Sequence, residues 1–404
     1  MALKVKIIKG FVVFVVMMMV FYLALTLLLT YSYIREKRMS VWEVVSALGG
    51  DGYDQEPTVV DKLAEEITTD KDPSPAGGAA GHLNTNNAST KLQKIEVPEM
   101  GPNFTPPVLV LLLSSMPRSG STLLTEILSV ANESVVFFEP LWPVEKRKCI
   151  EDEQCVAQYL ADVFTCHYRP DFEKWLKTKI LFLSYFNPDA KNCTKNEDRK
   201  SMESCISSLS LKGACLAAPI RIIKVIRARL SWMTNLLSDP LLNLKIIHLT
   251  RDPRGSLNSI NRFKNWNKNP HDRCIGLQED MNVYDKLHKQ FPSKLIQIKY
   301  EDLSIHPHSI IGEILQFLYG DATLPDDMED YISSHMSNQS VNNVMSTIKN
   351  SNKQYEAWRY KISEKVLNSI ETEPTCLEPI KRMRYTLFGS TIYAKNSSIS
   401  LFLS

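Results

Sequence analysis

Two polar loops contain the residue types that could bind an anion at two points. Residues 115–124 read SMPRSGSTLL and residues 248–259 read HLTRDPRGSLNS. Each loop follows an apolar, strand-like run and opens a helix-like run. A helix N-terminus presents unpaired backbone N–H groups and the positive end of the helix dipole, so such a junction is suited to binding an anion. Two junctions in one domain predict a ligand with two separated phosphate-like groups.

The first loop combines a glycine, hydroxyl groups and a fixed positive charge. Gly120 lets backbone amides turn towards an anion, while Ser119, Ser121 and Thr122 add hydroxyl donors and Arg118 adds a guanidinium. The Gly-Lys-Ser/Thr end of a Walker loop is absent, which disfavours a kinase or another nucleoside triphosphatase. An ordinary serine-rich strand-to-helix turn is the alternative interpretation.

The second loop has a helix-start signature. Asp252 fits an N-cap and Pro253 fits the first helical position. Ser259 follows Asp252 by about two helical turns and therefore lies on the same helix face. We expect Arg251 and Ser259 to converge on one phosphate. Structural salt bridges are the alternative role for Arg251 and for Arg254.

The elements that must position these loops alternate along the chain. Apolar runs predict strands at 108–113, 135–138, 221–226, 244–249 and 295–299. Helices are predicted at 121–130, 150–165, 172–184, 253–263, 275–290 and in a segment that ends near Gly320. The polar stretch 187–204 is predicted to be a surface loop. The alternation indicates an α/β fold with a mainly parallel sheet flanked by helices.

The N-terminal part of the 404-residue chain predicts a membrane anchor and a stem. Residues 10–34 carry no charge and would form about 37 Å of helix, enough to span a bilayer. A cleaved signal peptide is the alternative. Residues 1–9 are then a cytosolic tail, 35–105 a flexible stem rich in Pro, Gly and small polar residues, and 106–395 the lumenal domain.

The positive charges before and after the span are equal in number and do not predict its orientation, whereas the sequons and cysteines do. Asn-x-Ser/Thr sequons follow the span at Asn87, Asn103, Asn132, Asn192, Asn338 and Asn396. All 8 cysteines also follow it, and an even number in a secretory context predicts disulfide bonds. These features favour a lumenal glycoprotein with type II topology. The net charge of +2 gives no global field that would attract nucleic acid.

Several stretches in sequence order resemble one enzyme family. They are PRSGS at 117–121, FEPLW at 138–142, DPLLNLK at 239–245, RDPR at 251–254 and KYEDL at 299–303. Together they resemble the Golgi carbohydrate sulfotransferases of the galactose/N-acetylglucosamine/N-acetylgalactosamine 6-O group. Thr122 and Gly255 depart mildly from that pattern, and residues 383–385 depart from its usual ending.

The resemblance implies a P-loop-like sulfotransferase fold and the sulfuryl donor 3′-phosphoadenosine 5′-phosphosulfate (PAPS), without a metal. It implies that the first loop binds the 5′-phosphosulfate and that Arg251 and Ser259 bind the 3′-phosphate. Trp358 and Arg359 match the family's C-terminal pattern and are implied to bind the donor as well. The implied acceptor is a hydroxyl, most often the 6-OH, of a sugar in a glycan or glycosaminoglycan.

Glu139 is the predicted general base and Arg118 the predicted charge-stabilising residue. Glu139 ends the second strand, which is expected next to the first loop, and a carboxylate there could take the proton of an attacking hydroxyl. A capping or salt-bridged glutamate is the alternative. His248, in an apolar strand, is predicted to be a packed core residue. A tyrosylprotein sulfotransferase and a catalytically silent lumenal binding protein are the alternative functions, and a homo-oligomer is left open.

Overall fold

The computed structural model describes residues 106–130, 133–142, 152–178, 180–195, 198–263, 266–336 and 351–403. The predicted tail, anchor and stem, residues 1–105, lie outside the described residues. Among the helices that are described, none is long and apolar enough to cross a membrane. Of the sequons, Asn192 and Asn396 lie in the described part of the chain, and both are exposed.

A parallel five-stranded sheet forms the centre of the described chain. Its strands are β1 (Val108–Ser114), β2 (Ser134–Phe138), β3 (Ile220–Val225), β4 (Leu244–Thr250) and β5 (Leu295–Lys299). They lie in the order β2-β3-β1-β4-β5. The predicted α/β architecture with a parallel sheet is therefore confirmed.

The central strand β1 explains why both polar loops meet. In β1, Leu111 pairs with Ile223 of β3 on one side and with Ile246 of β4 on the other. Parallel neighbours end at the same edge of the sheet, so the loops that follow β1 and β4 are adjacent. The register pairs Ser114, at the end of β1, with Leu249 of β4, where the second loop begins.

Helices fill the connections between the strands. Those up to β4 are α1 (Ser121–Val130), α2 (Glu153–Phe164), α3 (Pro170–Thr178), α4 (Ile180–Leu183), α5 (Pro188–Cys193), α6 (Arg199–Ser208), α7 (Leu211–Ala217) and α8 (Thr234–Ser238). Those after β4 are α9 (Pro253–Ile260), α10 (Pro270–Gln290), α11 (Tyr300–Ile305), α12 (Pro307–Tyr319), α13 (Asp326–Met336), α14 (Ser351–Gln354), α15 (Glu364–Glu371), α16 (Pro374–Arg382) and α17 (Thr391–Lys395). Short 3₁₀ helices cover Leu230–Met233 and Ala357–Tyr360.

The prediction of a surface loop at 187–204 is wrong in part, because α5 and the start of α6 lie there. Asn187 caps α5 by accepting from Ala190 N, and Asp198 caps α6 by accepting from Ser201 N. The Cys193–Cys205 disulfide joins the two helices. Capping side chains and a covalent link therefore offset the weak helical pattern of this polar stretch. At Gly320, the left-handed conformation that ends α12 confirms the predicted helix end.

Apolar side chains pack on both faces of the sheet and in a third cluster. Leu111 and Phe137 belong to one face, whereas Leu112 and Ile247 belong to the other. The third cluster joins α9 and α10 to the C-terminal segment, which we define as residues 374–403. The Cys274–Cys376 disulfide links α10 to that segment, and Cys166–Cys215 links the end of α2 to α7. The predicted disulfide bonding is confirmed.

Candidate active site

The first loop takes its shape from two residues with left-handed backbone conformations. Arg118 has a φ of 66° and Gly120 a φ of 86°. Ser119 Oγ donates a hydrogen bond to Met116 O at 2.8 Å, which closes the turn. Helix α1 then begins at Ser121. Its first backbone N–H groups have no acceptor within the helix, so they are available to an anion.

Close packing against Tyr300 explains the glycine in the first loop. A Cβ atom at position 120 would lie 2.3 Å from Tyr300 Cδ2, far inside van der Waals contact. From the second loop, the Arg251 guanidinium lies 4.3 Å from the centre of the same Tyr300 ring. Tyr300 therefore packs between the two loops.

The second loop adopts the predicted helix start. Asp252 accepts from Arg254 N at 2.9 Å, and Pro253 occupies the first turn of α9. Arg254 is fully buried and pairs with Asp252 at 2.8 Å and with Glu371 at 2.6 Å. Its Nη1 also donates to Thr386 O at 2.6 Å. The salt-bridge alternative is therefore the arrangement found for Arg254.

The two loops contact each other through their arginines. Arg118 Nε donates to Ser259 Oγ at 3.2 Å, and Arg251 Nη1 donates to Arg118 O at 2.6 Å. Burial, together with the nearby Arg251 and Arg262 and against the opposing effect of Tyr300, lowers the pKa of Arg118 to about 10. Arg118 still carries its charge at neutral pH. Two guanidinium groups held this close favour an anionic ligand.

Two buried donors beside Gly255 have no acceptor among the described residues. They are Arg251 Nε and Trp358 Nε1. A Cβ atom at position 255 would lie 3.1 Å from Arg251 Nε and 3.1 Å from Trp358 Cδ1, so both side chains flank this glycine. Buried N–H groups are rarely left unpaired, because losing a water partner costs about 1–3 kcal/mol. A ligand oxygen would satisfy both donors, which fits a bound phosphate.

Arg359 differs from its neighbour Trp358 because its donors already have partners. Its Nε donates to Ala394 O at 2.7 Å, and its Nη2 donates to the carbonyl oxygens of Asn396 and Ile399 at 2.8 Å each. Its Nη1 pairs with Glu356 at 2.8 Å. Direct contact with a nucleotide would have to replace one of these bonds. The predicted donor-binding role of Arg359 stays a prediction.

Glu139 lies at the end of β2 in an ion-paired cluster. Its side chain is buried, its Oε1 pairs with Lys224 Nζ, and its Oε2 accepts from Arg227 Nη1 at 2.8 Å. The expectation that this strand end lies next to the first loop is wrong, because β3 separates β2 from β1. Lys224 of β3 occupies the intervening position. It lies within electrostatic reach of both Glu139 and Arg118.

Lys224 and Arg227 are site residues that the sequence analysis missed. Burial lowers the pKa of Lys224, while the adjacent Glu139 opposes that shift. The signal was present in the sequence, since Lys224 is a charged residue near the end of the otherwise apolar strand IRIIKV. A buried lysine needs a counter-ion, and Glu139 supplies it. Glu139 in turn contacts a cation on each of its two oxygens.

His248 lies in the core below the first loop, as predicted. It is fully buried, and its Nδ1 lies 2.9 Å from Gln297 Nε2, which donates to it. Its Nε2 therefore donates to Ser115 Oγ at 2.7 Å. Burial lowers the pKa of His248 to about 3, and Arg382 adds to the effect. Within the described residues, no group of His, Cys, Asp or Glu side chains is arranged to hold a metal ion.

A sequence model described as "Sulfotransferase family" matches residues 111–321, more than half of the chain. The chain belongs to the sulfotransferase family. The match covers both anion loops, Glu139 and the Tyr300 motif, and it ends before Trp358 and Arg359. The resemblance inferred from the five motifs is confirmed, and the protein is a sulfotransferase.

Relatives of this sulfotransferase bear names that specify the kind of acceptor. Carbohydrate sulfotransferase 3 of Tetronarce californica is 27% identical over 337 residues, which cover 72% of this chain and 76% of that protein. The Homo sapiens protein of the same name is 24% identical, with 72% and 70% covered. Carbohydrate sulfotransferase 1 of Danio rerio is 28% identical over 190 residues, covering 41% of this chain and 44% of that protein.

Two solved structures match the chain at low TM-scores. The sulfotransferase domain of the Synechococcus PCC 7002 olefin synthase has a TM-score of 0.36 at 19% identity, covering 74% of this chain and 98% of that one. Retinol dehydratase in complex with androsterone and inactive cofactor PAP has a TM-score of 0.33 at 15% identity, with 73% and 83% covered.

Proposed function

We propose that this sulfotransferase transfers a sulfuryl group from PAPS to a sugar hydroxyl, in particular a 6-OH, of a glycan or glycosaminoglycan. The observation that carries the proposal is the meeting of the two anion loops. Arg118 and Ser259 are hydrogen-bonded across them at 3.2 Å, and Arg251 Nε and Trp358 Nε1 lie buried without an acceptor. This arrangement suits a nucleotide with anionic groups at both its 3′ and 5′ positions.

The second loop is the proposed site for the 3′-phosphate. Arg251, Ser259 and Trp358 are the residues that would hold it, and the unpaired Arg251 Nε and Trp358 Nε1 are the donors that support this assignment. A charge-assisted hydrogen bond is stronger than a neutral one, and a phosphate has enough lone pairs to accept from all three side chains.

The first loop is the proposed site for the 5′-phosphosulfate. The N–H groups at the start of α1, the hydroxyls of Ser121 and Thr122, and the Arg118 guanidinium are the donors. Ser119, whose hydroxyl already donates to Met116 O, would contribute its backbone N–H. When bound, PAPS supplies an activated sulfuryl group whose departure leaves negative charge on the 5′-phosphate. Arg118 would stabilise that developing charge, which is electrostatic catalysis.

Glu139 is the proposed general base. Its carboxylate would accept the proton of the acceptor hydroxyl as the oxygen bonds to sulfur. Lys224 and Arg227 fix the direction of the carboxylate, since each donates to a different oxygen. Proton transfer to Glu139 would leave Lys224 without its anionic partner, so Lys224 would shift towards the charge that develops on the 5′-phosphate. The position of Lys224 between Glu139 and Arg118 supports such a shift.

The sugar acceptor and the cellular location rest on the relatives and on the sequence. The relatives are named carbohydrate sulfotransferases, and the motif resemblance implies the 6-OH. We infer a Golgi enzyme with a single membrane span at 10–34, type II topology and a lumenal catalytic domain. The sequons and the disulfide bonds favour a lumenal environment for that domain.

Sulfate transfer by the full-length enzyme tests the proposal directly. Labelled PAPS is supplied with a panel of glycans, a tyrosine-containing acidic peptide and a no-acceptor control. We expect label on a glycan, located at a sugar 6-position after hydrolysis. Label on the peptide alone would identify a tyrosylprotein sulfotransferase. Tight nucleotide binding without transfer to any acceptor would identify a silent binding protein.

Glu139→Gln tests the base. The amide keeps the size of the side chain but cannot take a proton, so turnover should fall about 10²–10⁴-fold while PAPS affinity stays near the wild-type value. Because Lys224 would lose its buried counter-ion, the double variant Glu139→Gln/Lys224→Met is the control for fold. Equal loss of turnover in both variants supports the base. Recovery of turnover in the double variant would contradict it.

A further inference from the structure

Glu301 is a buried carboxylate behind the second loop that the proposed chemistry does not use. It lies in the first turn of α11, and none of its surface is exposed. Its Oε1 accepts from Asp252 N at 3.1 Å, and its Oε2 accepts from Tyr385 OH at 2.7 Å. The side chain thus joins the second anion loop to the C-terminal segment.

Tyr385 occupies a fixed position within the C-terminal segment. It is fully buried and forms an antiparallel bridge with Phe402. The next residue, Thr386, accepts from Arg254 Nη1 at 2.6 Å. Together with the Cys274–Cys376 disulfide, these contacts hold the Tyr385 hydroxyl against Glu301.

The hydrogen bond to Asp252 N acts directly on Arg251. The N–H of Asp252 belongs to the peptide group whose carbonyl carbon is that of Arg251, and this group is planar. An acceptor that fixes the N–H therefore fixes the peptide plane. This plane contains the Cα atom that carries the Arg251 side chain. Arg251 Nε, which has no hydrogen-bond partner in the described part of the chain, then faces the position beside Gly255.

We propose that Glu301 and Tyr385 are positioning residues for the 3′-phosphate site, through which the docked C-terminal segment sets the direction of Arg251. The inference rests on the proposed function, since it assigns a role to the residues behind that site. It also gives a role to residues 383–385, where the sequence departs from the family's usual ending.

Electrostatics give this pair a signature that a purely structural contact would lack. Burial and the nearby Asp252 carboxylate raise the pKa of Glu301 to about 7, against the opposing effects of Arg251 and of the Tyr385 hydrogen bond. Tyr355, ahead of the 3₁₀ helix, also faces Glu301. An ionised Glu301 repels a phosphate held by Arg251, so binding the phosphate favours the protonated form. Nucleotide affinity should therefore fall as the pH rises through about 7.

The test measures binding of 3′-phosphoadenosine 5′-phosphate (PAP) and of adenosine 5′-phosphate to the full-length protein by calorimetry. Tyr385→Phe keeps the ring and removes only the hydroxyl. At pH 6, where Glu301 is mainly protonated in both proteins, we expect it to weaken PAP binding about three- to tenfold and to leave adenosine 5′-phosphate binding unchanged. Tyr393→Phe, an exposed tyrosine of the same segment, is the matched control and should change neither affinity.

The pH dependence supplies the second measurement. In Glu301→Gln the fall in PAP affinity above pH 7 should vanish, whereas in Tyr385→Phe it should move to higher pH, because that hydroxyl favours the ionised carboxylate. Wild-type PAP affinity and pH dependence in a folded Tyr385→Phe protein would overturn the inference. Equal weakening of both nucleotides would overturn it too. A wild-type protein that does not bind PAP would instead refute the proposed function.

Discussion

The two anion loops hold their shapes by different physical means. The backbone determines the shape of the first loop, because Arg118 and Gly120 have φ values of 66° and 86° and the glycine packs directly on the Tyr300 ring. Buried ion pairs between charged side chains determine the shape of the second loop. Asp252 and Arg254 pair at 2.8 Å, and Arg254 continues to Glu371 at 2.6 Å.

The difference teaches which kind of change each loop tolerates. A loop held by close backbone packing is sensitive to one added methyl group, since dense interiors cannot absorb the extra volume without strain. A loop held by buried ion pairs is sensitive to the loss of one charge, because the remaining partner is left uncompensated. The family pattern describes both loops as short polar motifs and does not distinguish these cases.

Alanine at the two glycines gives the largest expected contrast. Gly120→Ala combines a left-handed backbone with a Cβ atom 2.3 Å from Tyr300 Cδ2, so we expect a loss of about 4 kcal/mol in the free energy of unfolding. Gly255→Ala places its Cβ atom 3.1 Å from two side-chain atoms in an ordinary helical conformation. Its steric cost and its gain in helix propensity should cancel within about 1 kcal/mol.

Thermal unfolding of the full-length variants measures the two costs. PAP binding by the folded fraction reports whether the loops keep their geometry. A Gly120→Ala protein as stable as Gly255→Ala would show that the Tyr300 ring moves aside, and the first loop would then not be held by packing.

Substitution of two arginines in the second loop sharpens the same comparison. Arg254→Ala removes the partner of two buried carboxylates and should lower the free energy of unfolding by about 3 kcal/mol or more. Arg251→Ala should be much less destabilising, because its Nη1 makes one hydrogen bond to Arg118 O and its Nε makes none in the described part of the chain. PAP affinity should fall about 10–100-fold in Arg251→Ala, the equivalent of 1.5–3 kcal/mol.

Adenosine 5′-phosphate separates the roles of these arginines. It lacks the 3′-phosphate, so the wild-type protein and Arg251→Ala should bind it about equally. If Arg251→Ala lost both nucleotides alike while Arg254→Ala unfolded at the wild-type temperature, the roles of the two arginines would be exchanged.

Local patterns were sufficient to predict most of the sheet and both loops. The strand predicted at 295–299 is β5 as found, and those at 108–113 and 244–249 end one residue early. Apolar runs of this kind are explicit in the sequence because parallel strands are buried on both faces. The helix start at Asp252 was predictable as well, since an N-cap followed by proline is a local signal.

The order of the strands and the supports of the site were not predictable in this way. The order depends on how helices pack between distant strands, so Glu139 was expected beside the first loop and β3 was found between. Tyr385 was noted only as a departure from the family's ending. Its hydrogen bond to Glu301 joins residues 84 positions apart, and no local pattern encodes such a contact.

His248 gives the smallest expected effect, and it concerns the support of the first loop. Its pKa is about 3 in the folded protein against an ordinary value of 6.5. As the pH falls, His248 therefore binds a proton in the unfolded chain before it does so in the folded protein. Stability from this residue is complete above pH 6.5 and is lost on acidification. At pH 5 the loss should be about 2 kcal/mol. Protonation would also place a second N–H against the Gln297 amide, which already donates to Nδ1.

Unfolding of His248→Gln between pH 7 and pH 5 checks this expectation. The variant should be less stable than the wild type at pH 7, because the imidazole packs in a dense core, but its stability should change less with acidification. His167→Gln, at an exposed histidine, should keep the wild-type pH dependence. A wild-type slope in His248→Gln would mean that the neutral histidine under the first loop does not govern the acid sensitivity of the fold.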